Sequence, residues 1–148
     1  MTTEPVRITS ASAELDVPAA TIFELIADPR RQPDFDGNDN LAEVVTANRI
    51  RGVGEVFVMR LTNGAIRENT IVEFTEGRLL AWLPNEPGHA APGHLWRWEL
   101  TPLDSALTRV THTYDWTQLS DPTRLERARA TTAERLHESI ARLATLFE

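Results

Sequence analysis

HLWRWELTPLDSALTRVTHTYDW, residues 94–116, is two alternating runs joined by a short polar break. Side chains along a strand point to opposite faces in turn. One parity of the first run therefore carries His94, Trp96, Trp98 and Leu100, and the other carries Leu95, Arg97 and Glu99. In the second run the matching set is Val110, His112, Tyr114 and Trp116. The aromatic parity predicts the inward face, and consecutive runs of this kind predict antiparallel neighbours.

Upstream, the same pattern repeats from about Leu41. LAEVVTA, GEVFVMRL, AIRENTIVEF and RLLAWL are strand-like runs, with Asn63-Gly64 and Glu76-Gly77 as turn signals between them. Parity sets Phe57, Met59 and Leu61 inward on one strand and Glu68, Thr70, Val72 and Phe74 on the next, with Trp82 joining from the third. The same count turns Arg60 and Arg67 outward. An inward Glu68 is costly unless paired, so a place near a pocket mouth beside an arginine is the expectation.

Downstream, about Asp121 to Phe147 reads as one long amphipathic helix. Asp121 is its cap, Pro122 lies in its first turn, and Leu125, Ala128, Thr132, Leu136, Ile140, Leu143 and Phe147 form one face. That face needs a large apolar partner, and the sheet is the one available. At the other end, Val6 to Leu15 reads as a first strand, and AATIFELIAD after Pro18 as a short helix. PRRQPDFDGNDN reads as a loop with room for one helical turn. The fold class expected is α+β: a curved antiparallel sheet of about seven strands around a long C-terminal helix, with two short helices after strand 1, as one domain over residues 1–148.

Composition limits the function classes. A chain of 148 residues with 41% hydrophobic and 25% charged residues has the make-up of a folded domain. It holds no cysteine, which removes disulfides, thiolate metal sites and cysteine nucleophiles. Its basic residues are all arginine, and the net charge of −7 with those arginines scattered along the chain argues against nucleic acid as a partner. No basic segment leads into an apolar run at the start, and no run of about 18 apolar residues occurs, so a cytoplasmic chain without membrane insertion is expected. Monomer and homodimer both stay open.

Chemistry narrows in the same way. His89, His94, His112 and His137 lack the spacing of a metal site, and Asp34, Asp36 and Asp39 lack the terminal glutamate of a calcium loop, so no metal and no cofactor are expected. No serine lies in a nucleophile elbow, and Gly52 and Gly54 form no phosphate loop. Proton transfer remains, with His112 and Tyr114 as the candidate catalytic groups.

VPAATIFELIADP, RQPDFDGND, ENTIVEFTEGRLLAW with GHLWRWELTPL, and LTRVTHTYDW ahead of the last helix are ordered as in a known superfamily. The chain resembles the START-like (SRPBCC) superfamily, which includes the birch pollen allergen and bacterial polyketide cyclase/dehydrase-like proteins. The resemblance implies a helix-grip fold with a cavity between the concave sheet and the last helix. Its expected lining is Phe57, Met59, Leu61, Glu68, Thr70, Val72, Trp82, His94, Trp96, Trp98, His112 and Tyr114, with Leu136 and Ile140 from the helix. Aromatic side chains at strand spacing also serve simple packing, above all Trp96 and Trp98. Cyclases of the superfamily place an arginine and a tyrosine in the pocket. Here Tyr114 is the one tyrosine and the nearby arginines count outward, a departure from that pattern. Three functions follow as alternatives: binding of an apolar, lipid-like or aromatic polyketide-like molecule, a cyclase or dehydratase, and a regulatory domain with a vestigial cavity that meets a protein through residues 34–40.

Overall fold

The computed structural model describes residues 7–46 and 48–148; Val6 and Ala47, which the sequence assigned to strands, lie outside them. Among the described residues the strands are β1 (Ile8–Leu15), β2 (Leu41–Thr46), β3 (Val56–Leu61), β4 (Ile66–Thr75), β5 (Leu79–Asn85), β6 (Leu95–Pro102) and β7 (Thr108–Asp115). They form one antiparallel sheet in the order β1-β7-β6-β5-β4-β3-β2. Consecutive strands from β2 to β7 pair with their neighbours because each joining turn is too short for any other connection. The first strand returns to pair with the last, Ala11 opposite His112 and Ala13 opposite Val110.

The helices cover the concave side. α1 (Ala19–Ile26) buries Ile22, Phe23 and Ile26, and a 3-10 turn at Pro29–Arg31 leads into α2 (Gln32–Phe35). These are the two short helices expected after strand 1. The C-terminal segment is a 3-10 turn at Pro122–Arg124, then α3 (Leu125–Ala130) and α4 (Ala133–Thr145). Leu136, Ile140 and Leu143 of α4 are fully buried, and burial of each side chain of this size stabilises by about 1.5–3 kcal/mol. The architecture is thus the helix-grip α+β fold.

The C-terminal helix does not run unbroken from Asp121 to Phe147. It stops at Thr131 and Thr132, whose backbones are extended. Both hydroxyls find local backbone partners. Thr131 Oγ1 donates to the Arg127 carbonyl at 3.2 Å, and Thr132 Oγ1 accepts from the Arg135 amide at 3.3 Å. Threonine offers the chain this alternative to the helical ladder, and two in succession close one helix and cap the next. The break frees α3 to take its own direction, which decides what stands at one end of the cavity.

Candidate functional site

Between sheet and helices the side chains leave a cavity of about 130 Å³. Phe57, Met59 and Leu61 of β3, Trp82 of β5, Trp96 and Trp98 of β6, and His112 and Tyr114 of β7 line it, with His94 just ahead of β6. The register explains the grouping: Trp98 lies opposite His112, and Trp96 opposite Tyr114. The rings form a continuous wall. His112 stacks on Trp98 at 3.7 Å between centroids and on Trp96 at 5.6 Å, Tyr114 lies 4.5 Å from Trp96, and Phe35 meets Trp98 edge-on at 5.7 Å.

On β4 the inward parity differs from expectation. Glu68, Thr70 and Val72 do not line the cavity; Arg67 and Asn69 do. The cause is a bulge: the register with β5 shifts between Ile71 and Glu73, leaving Val72 as the extra residue. A bulge reverses the alternation on one side of itself. Counting back from Phe74, which is truly inward and meets Phe23 edge-on at 5.7 Å, therefore assigns the wrong face to every residue before Val72. Glu68 accepts a hydrogen bond from Asn85 Nδ2 at 3.2 Å on the other side of the sheet, and among the described residues no arginine is its ion-pair partner. Arg67, expected outward, is turned in; Arg60 is outward and pairs with Glu43.

Leu136 and Ile140 also fall outside the lining. They are spent in the packed core, and the C-terminal segment shows the cavity Arg124, Arg127, Thr131 and Ser139 instead. The end of the segment read as a loop, residues 36–40, lines the cavity through Asp36, Asn38 and Asn40. It is fastened to α4: the Gly37 amide donates to Ser139 Oγ at 2.8 Å, and the Arg142 guanidinium donates to the Asp36 carbonyl at 2.7 Å and to Asp39. The Asp36 carboxylate is absorbed by its own turn, accepting from the amides of Asn38, Asn40 and Leu41.

The titratable rings are held neutral. His112 is pushed down to about 3 by burial, which outweighs the hydrogen bond to the Arg97 carbonyl. That bond, 3.0 Å from Nδ1 to a carbonyl that only accepts, fixes the proton on Nδ1 and leaves Nε2 an acceptor. His94 is pushed down to about 4 by burial first and then by Arg124, Arg67 and Arg127. Burial pushes the Tyr114 hydroxyl up to about 12. A general acid or base works best with a pKa near the operating pH, so these rings are better placed to donate and accept hydrogen bonds than to exchange protons. Two buried polar atoms lack a protein partner among the described residues, Gln32 Nε2 and His94 Nδ1.

These shifts make stability pH-dependent. Both histidines titrate lower in the folded chain than the 6.5 of a free imidazole, so the unfolded chain takes up protons that the folded one refuses. Their contribution is complete above about pH 6.5 and is lost as the pH falls toward 4. Each ring adds a slope of about 1.4 kcal/mol per pH unit once the unfolded form is protonated. Urea unfolding at pH 7.0 and pH 5.5 should show this loss, and His112→Gln should roughly halve the difference between the two pH values. Equal stability of the wild type at both would refute the assignment.

A family model described as polyketide cyclase / dehydrase and lipid transport matches residues 7–148. The chain belongs to this family. Two uncharacterized proteins of Mycobacterium tuberculosis are similar to it: MT0096 of strain CDC 1551 / Oshkosh, 33% identical over 109 residues, and Rv0088 of strain H37Rv, 31% identical over 118. Each match covers 72% of this chain and 46% of the relative, so the chain spans about half the length of the curated relatives it matches. Among solved structures, protein MLL2253 of Mesorhizobium loti superposes with a TM-score of 0.70 at 14% identity, covering 95% of this chain and 96% of that one. A START superfamily protein of Mycobacterium smegmatis gives 0.66 at 15%, covering 94% and 98%. DynU16, from the dynemicin biosynthetic locus, gives 0.67 at 15%, covering 97% of this chain and 48% of its own. At these identities the structural likeness establishes the fold. Members of the polyketide cyclase/dehydrase and lipid transport family share this scaffold, while the groups that face the cavity are set by each chain's own residues. Among the described residues of this member, no set of three His, Asp or Glu is grouped to hold a metal ion, and no helix is long and apolar enough to cross a membrane.

Proposed function

We propose that this family member is a ligand-binding domain whose cavity receives a small apolar ring compound. The observation that carries the reading is the aromatic wall with Gln32 Nε2 and His94 Nδ1 left unpartnered beside it. A buried amide hydrogen without an acceptor costs about 1–3 kcal/mol, a cost that a guest bearing a suitable oxygen removes. Size favours a compact ring over an acyl chain. A cavity of about 150 Å³ takes benzene, whereas drug-sized guests occupy several hundred Å³.

Trp82, Trp96 and Trp98 supply the test, because a guest against their rings changes their emission. Titration with a panel of one- and two-ring apolar compounds should give saturable fluorescence changes with at least one, and native mass spectrometry should find the same class copurifying. A flat response to the whole panel would sink the proposal. A second reading, cyclisation or dehydration of a polyketide-like substrate, is favoured by the presence of Arg67 with Tyr114 on the cavity wall. It requires that Arg67→Gln and Tyr114→Phe each abolish turnover; product formation by the two variants at the wild-type rate would eliminate it.

A further inference from the structure

At the His94 end of the cavity stand three guanidinium groups: Arg67 from β4, Arg124 from the 3-10 turn and Arg127 from α3. The same three residues are the ones shared with an outer pocket of about 470 Å³ lined also by Glu86, His89 and Asp121. They form the partition between the inner cavity and the surface. In a chain of net charge −7, this is a local excess of positive charge.

The partition is short of carboxylates. Glu86 meets Arg124 at 2.9 Å and reaches Arg67 only at 3.8 Å; Asp121 lies 3.4 Å from Arg124. Arg127 has no ion pair among the described residues. Arg67 is the more telling group, since its side chain is only 12% exposed and its one close acceptor among the described residues is its neighbour's carbonyl, Ile66 O at 3.0 Å. A guanidinium so placed keeps several donors unmet, and its fork matches a carboxylate in a two-point geometry. Three cations against two carboxylates leave room for one more negative charge. The positive field also reaches inward, where all three arginines act on His94 and two of them on Tyr114.

Geometry separates this end from the other. His94 and Trp98 are four residues apart along one extended segment, about 13 Å at roughly 3.3 Å per residue. Phe35 of α2 meets Trp98 at the far end, and Gln32 is on the same short helix. We propose that the guest of this cavity is a ring carboxylate: its single negative charge lies among Arg67, Arg124 and Arg127, and its ring lies against Trp96 and Trp98. The inference rests on the binding reading above and adds the charge of the ligand to it.

The test compares 4-ethylbenzoate, 4-ethylbenzyl alcohol and 4-ethylphenyl phosphate by ¹H–¹⁵N NMR titration of the full chain at pH 7.5. The benzoate should bind at least tenfold more tightly than the alcohol, and the gap should narrow as sodium chloride rises from 50 to 300 mM. Arg127→Gln, at an exposed position, and the double variant Arg124→Gln/Arg127→Gln should each shrink the preference. Arg109→Gln, on the exposed Glu14 pair, should leave it intact. Equal affinity for benzoate and alcohol overturns the carboxylate assignment while leaving the binding reading in place. Tighter binding of the phosphate overturns the single-charge argument. Binding of none of the three overturns the binding reading itself, and this inference with it.

Discussion

Replacing Trp98 with alanine will lower the unfolding free energy by about 3–5 kcal/mol, a large part of the 5–15 kcal/mol that holds a domain of this size folded. The ring is buried, and three things rest on it: the stacked His112 imidazole, the edge of Phe35, and one wall of the cavity. Its removal joins the lost side-chain volume to an existing void, so the surrounding groups have nothing to collapse against. His112 also loses the indole that helps keep it dry, and its proton affinity will rise toward the ordinary range. Chemical denaturation read by circular dichroism measures the first effect, and NMR titration of the His112 ring measures the second. Trp98→Phe, which keeps an aromatic edge for Phe35, should recover roughly half of the loss. A Trp98→Ala protein within about 1 kcal/mol of the wild type would show that the ring does not hold this end of the core together.

Gly93→Ala will be comparably damaging for a different reason. Gly93 has φ of 117°, a conformation that side chains resist, and a Cβ built there lies 2.0 Å from the Gln118 carbonyl oxygen and 2.5 Å from its carbon. The obstacle is backbone, which has no rotamer to yield. The segment after β7 is held here by the Ser120 amide donating to the Pro92 carbonyl at 3.0 Å, so relief requires separating the two segments. Left-handed strain and forced overpacking each cost about 1–3 kcal/mol, giving an expected loss of about 4 kcal/mol in urea unfolding. The damage is local to function as well: His94 is the next residue, and it stands at the arginine partition. Gly93→Ala should therefore weaken ligand binding even at temperatures where the fold survives. Unfolding within about 0.5 kcal/mol of wild type would mean that the two segments do not touch as described.

How far the sequence was readable depended on whether periodicity alone decided the outcome. The β6–β7 hairpin was legible because its alternation is unbroken, so Trp96, Trp98, His112 and Tyr114 share a face in both descriptions. β4 was misread because parity survives only until the first inserted residue, and nothing in TIVEF marks Val72 as that residue; the bulge is imposed by the fit to β5. The error was confined to one strand, yet it concealed Arg67, which changes the chemistry of the cavity more than any other single placement. The helix break had a local signal that apolar spacing overrode: Thr131-Thr132 followed by Ala-Glu-Arg is a stop and a fresh cap in succession. Arg124 and Arg127 could not be placed without that break, since a straight helix gives no reason to bring them to the His94 end of the cavity. The fastening of residues 36–40 to α4 was likewise invisible, because Gly37 meets Ser139 across 102 positions of sequence.

The neutrality of His94, His112 and Tyr114 has a practical corollary for anyone titrating the protein. With the two imidazoles pushed down to about 4 and about 3 and the phenol pushed up to about 12, none of these rings changes its charge between roughly pH 5 and pH 11. An inflection in affinity within that span will accordingly have its origin outside these three rings, in the visitor or in groups nearer the surface.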